Sequence, residues 1–125
     1  AIELTDELLR ATFLDMFGDP VKKDQPWHVE ELGVLLEGKD GIVDGPFGSA
    51  INTKKDYILD GQIPVIRTKN VKRFAFDTND LKYISKDKFE TVRRSRVGPG
   101  DIVLTKVGTI GNVCIFPDDF PEPSN

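Results

Sequence analysis

The sequence predicts an α+β fold, with an N-terminal helix followed by a twisted, largely antiparallel β-sheet domain carrying short helices. Three observations predict it. Residues 5–17 have apolar side chains at helical spacing. Short apolar runs at 62–68, 101–105 and 112–116 are bounded by glycine and proline. Strands and helices do not alternate as a doubly wound parallel sheet requires.

The first element is T-D-E-L-L-R-A-T-F-L-D-M-F-G-D-P. Thr5 suits an N-cap, Asp6 and Glu7 suit the positive end of the helix dipole, and Gly18 followed by Pro20 stops the helix. Leu9, Phe13, Met16 and Phe17 fall on one face. That face covers the core of the same domain or belongs to the tail of a longer helix that packs elsewhere. Residues 19–26 form a polar, proline-bounded connector. Trp27–Leu36 resume the core, with W-H-V-E-E-L alternating as a strand does and L-G-V-L-L forming a short helical turn or strand. Gly38, Gly41, Gly45 and Gly48 then preclude a stable helix. A strand is expected at Gln62–Thr68, with Pro64 tolerated at an edge or near the strand start. Residues 85–94 suit a short helix capped by Ser85, with Arg93 and Arg94 at its C-terminal end. Gly98-Pro99-Gly100 turns into a strand at Asp101–Thr105, whose partner is Asn112–Phe116.

The 125 residues amount to one domain rather than two. Charged residues at 30% are interspersed with hydrophobic ones at 38%, a globular composition. No apolar run approaches the roughly 20 residues of a membrane span, and no secretory signal opens the chain, so no membrane partner and a cytoplasmic location are expected. Cys114, the one cysteine, sits in V-C-I-F as a small hydrophobe on a buried strand. His28, the one histidine, has no second His or Cys at ligand spacing, so no zinc-type site is expected. The net charge of -4 hides an asymmetry. Residues 1–60 carry 6 basic and 13 acidic side chains, whereas residues 61–117 carry 11 and 5. A locally basic segment sits inside an acidic chain.

Neither G-P-F-G-S nor V-G-T-I-G supplies the lysine and hydroxyl of a phosphate loop, and Gly108 and Gly111 lead into a strand rather than a helix. The glycines of residues 105–112 then serve as positive-φ positions of a hairpin turn. Glu37-Gly38-Lys39 and Asp80-Leu81-Lys82 match the acidic-x-lysine triplet of metal-dependent nucleases by spelling, but the first lies in a glycine-rich loop that fixes no carboxylate.

One arrangement recurs: a strand end followed by a basic, hydroxyl-rich turn. It occurs at Ser49-Ala50-Ile51-Asn52-Thr53-Lys54, Arg67-Thr68-Lys69-Asn70 and Thr105-Lys106-Val107-Gly108-Thr109. Arg and Lys donate to guanine edges and phosphates, Asn pairs both ways with adenine, and hydroxyls reach phosphate oxygens. Ordinary polar turns have the same composition.

Beyond these turns the chain resembles the specificity subunits of type I restriction-modification systems. The resemblance rests on M-F-G-D-P (16–20) ahead of W-x-x-x-x-L-G (27–33), D-G-P-F-G-S-A (44–50), Y-I (57–58), G-Q-I-P-V-I-R-T-K-N-V (61–71), Y-I-S (83–85) and P-G-D-I-V-L-T-K-V-G-T-I-G-N-V (99–113). It implies a non-enzymatic reader of double-stranded DNA. In that family a target recognition domain contacts half of a split site, and long helices set the spacing and dock methylation subunits. S-adenosylmethionine, ATP and Mg²⁺ belong to the methylation and restriction subunits, so no cofactor is expected here. On this resemblance residues 1–18 are the end of a spacer helix, 19–26 a connector and 27–125 a partial recognition domain. Family members carry two recognition domains and two long helices, so a fragment is implied, with self-association where strands are missing. The DNA-facing set is then Ser49, Asn52, Lys54, Arg67, Lys69, Asn70, Lys106 and Thr109. Arg67 or Asn70 would read a base edge and Lys106 would hold a phosphate. The competing role for Arg67 is an ion pair with an acidic neighbour such as Asp101. The competing functions are a protein-interaction module for an acidic or DNA-mimicking partner and a metal-dependent nuclease.

Overall fold

A computed structural model describes residues 2–22, 26–36, 38, 41–46 and 48–125. Glu37 and Lys39 of the first nuclease-like triplet, and Phe47 of D-G-P-F-G-S-A, lie outside the described residues. The fold is mixed α+β. Among the described residues it comprises one long helix, one short helix, 3-10 turns and three two-stranded antiparallel sheets. The chain divides into two compact units, Ala1–Leu36 and Glu37–Asn125.

In the first unit, α1 spans Ile2–Phe17. It starts earlier than expected, so Thr5 lies inside the helix rather than at its cap. Its end follows the sequence signal: Gly18 adopts a φ of 76°, and its N–H donates to the Leu14 carbonyl at 2.9 Å. Trp27 folds back on this end. Its indole N–H donates to the Phe17 carbonyl at 2.9 Å, and its ring lies 6.0 Å from the Phe17 ring. Leu9, Phe13, Met16 and Phe17 are all exposed. Residues 27–36 differ from expectation. No strand forms there, Leu32–Leu35 make a single 3-10 turn, and Trp27, Val29, Leu32, Val34 and Leu35 are exposed rather than core. The alternating pattern has no strand partner to bury against.

In the second unit, β1 (Ile63–Val65) pairs with β4 (Lys82–Ile84) in the register Ile63 to Ile84 and Val65 to Lys82. β1 is buried throughout, including Pro64, because its other edge is also covered. There the Pro64 carbonyl accepts from the Asn125 N–H at 3.0 Å, and the Ile66 N–H donates to the Asn125 carbonyl at 2.6 Å. The helix α2 (Lys86–Val92) is capped as the sequence indicates: the Ser85 hydroxyl accepts from the Lys88 N–H at 3.2 Å. Phe89 and Val92 on its inner face join Ile51, Ile63, Val65 and Ile84 in the main core. Tyr57 packs on this core, and the chain passes so close at Gly61 that a Cβ there would lie 2.3 Å from the Tyr83 Cβ.

A second cluster forms around the remaining strands. β2 (Val71–Lys72) and β3 (Ala75–Phe76) make a hairpin, and β5 (Ile102–Leu104) pairs with β6 (Val113–Ile115). The β2–β3 hairpin is tied to β6 by the Phe74 N–H donating to the Val113 carbonyl at 2.8 Å and by the Asn112 amide donating to the Val71 carbonyl at 3.0 Å. Phe76, Phe116 and Phe120 meet edge to face with centroids 5.0–5.2 Å apart, the arrangement that ring quadrupoles favour. Cys114 is buried on β6 as expected.

Candidate nucleic-acid interface

The three basic turns belong to one unit, and its fold gathers them. Thr53, Arg67, Thr68 and Lys106 line a single cavity of about 540 Å³ between the β1 and β5 regions. Among the described residues the lining includes three cations, Arg67, Arg96 and Lys106, and no acidic side chain. Its volume lies in the range of small-molecule sites. The second and third turns also touch: a Cβ at Gly108 would lie 3.7 Å from the Thr68 methyl.

The turn at 105–112 is shaped from within. Thr105, only 5% exposed, closes it by pairing its N–H with the Asn112 carbonyl at 2.9 Å. Its hydroxyl donates to the Thr109 carbonyl and accepts from the Asn112 N–H at 3.0 Å. Gly108 and Gly111 supply φ values of 76° and 88°, which other residues reach only at a cost. Lys106 and Thr109 are exposed on this braced turn, and the Lys106 ammonium pairs with Asp44 at 2.5 Å.

In the first turn, Ser49 sits in the 3-10 turn Gly48–Ala50, and Ser49, Asn52 and Lys54 are exposed. Asn52 organises its own loop: its side-chain oxygen accepts from the Lys54 N–H at 3.0 Å, and its backbone N–H donates to Asp56 at 2.6 Å. Asp56 in turn pairs with Lys88 of α2 at 3.0 Å. The Asn52 backbone bond, then the Lys88 ammonium, hold the Asp56 carboxyl below the usual carboxylate range.

The second turn requires two corrections. Asn70 is 0% exposed. Its side-chain oxygen accepts from the Arg67 N–H at 3.1 Å, and its amide donates to the carbonyls of Asp77 at 2.8 Å and Asn79 at 3.1 Å. Asn70 is therefore a structural clasp for the 67–80 loop rather than a base reader: it is buried, and both amide donors it would need for adenine are already used inside the protein. The partner of Arg67 is Asp80 rather than Asp101, whose carboxylate accepts from the Gly98 N–H at 2.8 Å. One Nη of Arg67 donates to the Asp80 carboxylate at 3.1 Å and to the Asp80 carbonyl, while its buried Nε has no partner among the described residues.

Asp80 is the centre of the charged surface. Its Oδ2 takes Arg67 and Lys69, and its Oδ1 takes Lys82 at 2.8 Å. Hydrogen bonds from Lys69, Lys82 and Arg67, in that order, hold its carboxyl far below the usual carboxylate range. This carboxylate is committed to cations, which disfavours the Asp80-Leu81-Lys82 triplet as a metal ligand set. Among the described residues no group of three His, Cys, Asp or Glu is placed to hold a metal ion, and no helix is long and apolar enough to cross a membrane.

Residues 71–84 carry no clear element signal in the sequence, which leaves Asp80 and Lys82 outside the expected DNA-facing set. The signal available was the basic residue two positions after an Asp, which spells a nuclease triplet equally well. Next to them the β2–β3 hairpin presents Lys72, Arg73 and Phe74; Phe74 has a φ of 58° and is exposed, with the Arg73 guanidinium 5.4 Å from its ring. No protein-family model, curated protein or solved structure matches this chain.

Proposed function

We propose that residues 37–125 recognise double-stranded DNA in a sequence-dependent way, as a target recognition domain of a type I specificity subunit, and that methylation and restriction are performed by partner subunits. The observation that carries this reading is the convergence of the three basic turns on one cavity whose lining, among the described residues, holds Arg67, Arg96 and Lys106 and no acidic side chain. Arg67 and Lys106 are each paired with a carboxylate that is not part of that lining, Asp80 and Asp44, but Asp80 is shared among Arg67, Lys69 and Lys82, so the turns keep an excess of positive charge, which draws a phosphate backbone. The sequence resemblance supports the same reading and adds α1 as a spacer-helix end, whose exposed Leu9, Phe13, Met16 and Phe17 suit packing on another helix.

On this proposal the DNA-facing side chains are Ser49, Asn52, Lys54, Lys69, Lys106 and Thr109, joined by Lys82. Arg67 acts from within the Asp80 pairing. Lysines and hydroxyls position the backbone, and the Asn52 amide donors lie on an exposed loop where a base edge or phosphate can meet them. The chain itself catalyses nothing and needs no cofactor.

The test is selection of bound duplexes from a random pool, followed by affinity measurements between 50 and 200 mM salt. A recovered motif, with affinity at least ~1000-fold above random duplex, is the expected result for a specific reader. Equal binding to all duplexes, or Mg²⁺-dependent cleavage by this chain alone, would overturn it.

A further inference from the structure

The Asp80 cluster is unbalanced. One carboxylate holds three cations, leaving a local excess of two positive charges. Asp77, in the same loop, is engaged with Lys72 at 3.7 Å. The cluster is open to solvent: Asp80 and Lys69 are about half exposed, at 48% and 47%, and Lys82 and Arg67 keep 30% and 25%.

Lys82 opens β4, which pairs with the buried β1, and Arg67 and Lys69 lie in the turn that Asn70 clasps. Asp80 lies in the turn between β3 and β4, with a left-handed φ of 52°, and its backbone is held by the same clasp: Asn70 donates to the Asn79 carbonyl and Arg67 to the Asp80 carbonyl. The cluster is therefore preassembled, and the half-exposed Asp80 carboxylate leaves it by rotation of its side chain alone. Two carboxylate oxygens serve three donors, and among the described residues the Arg67 Nε is left without an acceptor. A backbone phosphodiester carries one charge on two non-bridging oxygens, as the carboxylate does, so it can take over the same charge-assisted bonds from the three cations.

We infer that Arg67, Lys69 and Lys82 form a phosphate-binding site in which Asp80 is a built-in counter-ion, displaced when a phosphodiester of the DNA backbone enters. This inference rests on the DNA-binding reading. The carboxylate then weakens non-specific binding, because each phosphate that enters has to displace it.

The test uses the whole chain and the variants Asp80→Asn and Lys82→Gln. Asparagine tolerates the left-handed backbone and keeps one acceptor while removing the charge. For wild type and Asp80→Asn, affinity for a random-sequence duplex is measured against salt. Asp80→Asn is expected to bind more tightly at every salt concentration, with a log-log slope steeper by about 0.9; Lys82→Gln is expected to flatten the slope by about the same amount. If wild type binds DNA but Asp80→Asn binds equally or more weakly, the cluster is a structural ion pair and the inference fails while the DNA reading stands. If no form binds DNA, the DNA reading fails, and titration with inorganic phosphate decides the site alone. Saturable shifts of the Lys69 and Lys82 ammonium resonances, stronger in Asp80→Asn, would retain the site, and their absence would overturn it. Should Asp80→Asn not fold, the Lys82→Gln slope and the wild-type phosphate titration carry the decision.

Discussion

Replacing Asn70 with alanine separates a structural role from a reading role. The side chain makes three hydrogen bonds with no solvent exposure, one accepted from Arg67 and two donated to Asp77 and Asn79. At about 1 kcal/mol net for each bond, alanine costs about 3 kcal/mol, and the stranded Arg67 N–H and the two carbonyls add to that unless water reaches them. A domain of this size has total stability of about 5–15 kcal/mol, so the loss is a large share. Urea unfolding followed by circular dichroism should show a lower midpoint at an unchanged slope, and thermal unfolding a fall of roughly 10–20 °C. At a temperature where both forms are folded, Asn70→Ala should keep the base preferences of the wild type. A stability loss below about 1 kcal/mol combined with loss of sequence preference would refute the reasoning, because it would mean that Asn70 leaves its clasp to read DNA.

Three further outcomes follow from the same structure. Gly61→Ala places a methyl 2.3 Å from the Tyr83 Cβ, so a loss of about 1–3 kcal/mol is expected in the same urea assay; a neutral substitution would show that the Ile58–Tyr83 region shifts freely. Lys106→Ala should weaken all duplexes alike and reduce the salt slope by about 0.9, one phosphate contact; an unchanged slope would remove Lys106 from the interface. Asp80, Asp56 and Asp77 all titrate below their ordinary range in the fold. A depressed folded pKa means that their stabilisation is fully present above the unfolded value of about 4 and is lost as pH falls through the folded one. Unfolding midpoints should therefore decline below about pH 4, and Asp80→Asn should flatten that decline; an identical acid profile would show that the ion pairs contribute nothing.

The parts of the fold legible in the sequence are those whose cause is local. Ser85 caps α2 because a hydroxyl three residues before Lys88 can reach its N–H, and Gly18 ends α1 because it alone adopts the required φ without strain. The β5–β6 hairpin follows from alternation around two glycines. What escaped has a distant cause. β2 and β3 are two residues each, joined through Arg73-Phe74 with no glycine, and they are held by Asn112, 41 residues away. Asn70 in a polar turn looks like a reader, and only the three partners around it reveal a clasp. Trp27–Leu36 has the composition of a core segment, yet its side chains are exposed, because apolar spacing states that a face wants cover without saying what supplies it. Of the candidate site, the basic turns were legible and their convergence was not, because convergence depends on β1, β5 and the loop between Ile51 and Thr53 meeting around one cavity.

The single thiol gives this domain a clock. Cys114 is 4% exposed on β6, opposite Val103, and burial pushes its thiol pKa up, so a thiol reagent reaches it only when the strand opens. Its labelling rate then measures the free energy of opening the sheet that carries the 105–112 turn, separately from global unfolding. Slower labelling on addition of duplex would report, in units of that opening equilibrium, how strongly occupancy of the basic face locks the sheet beneath it.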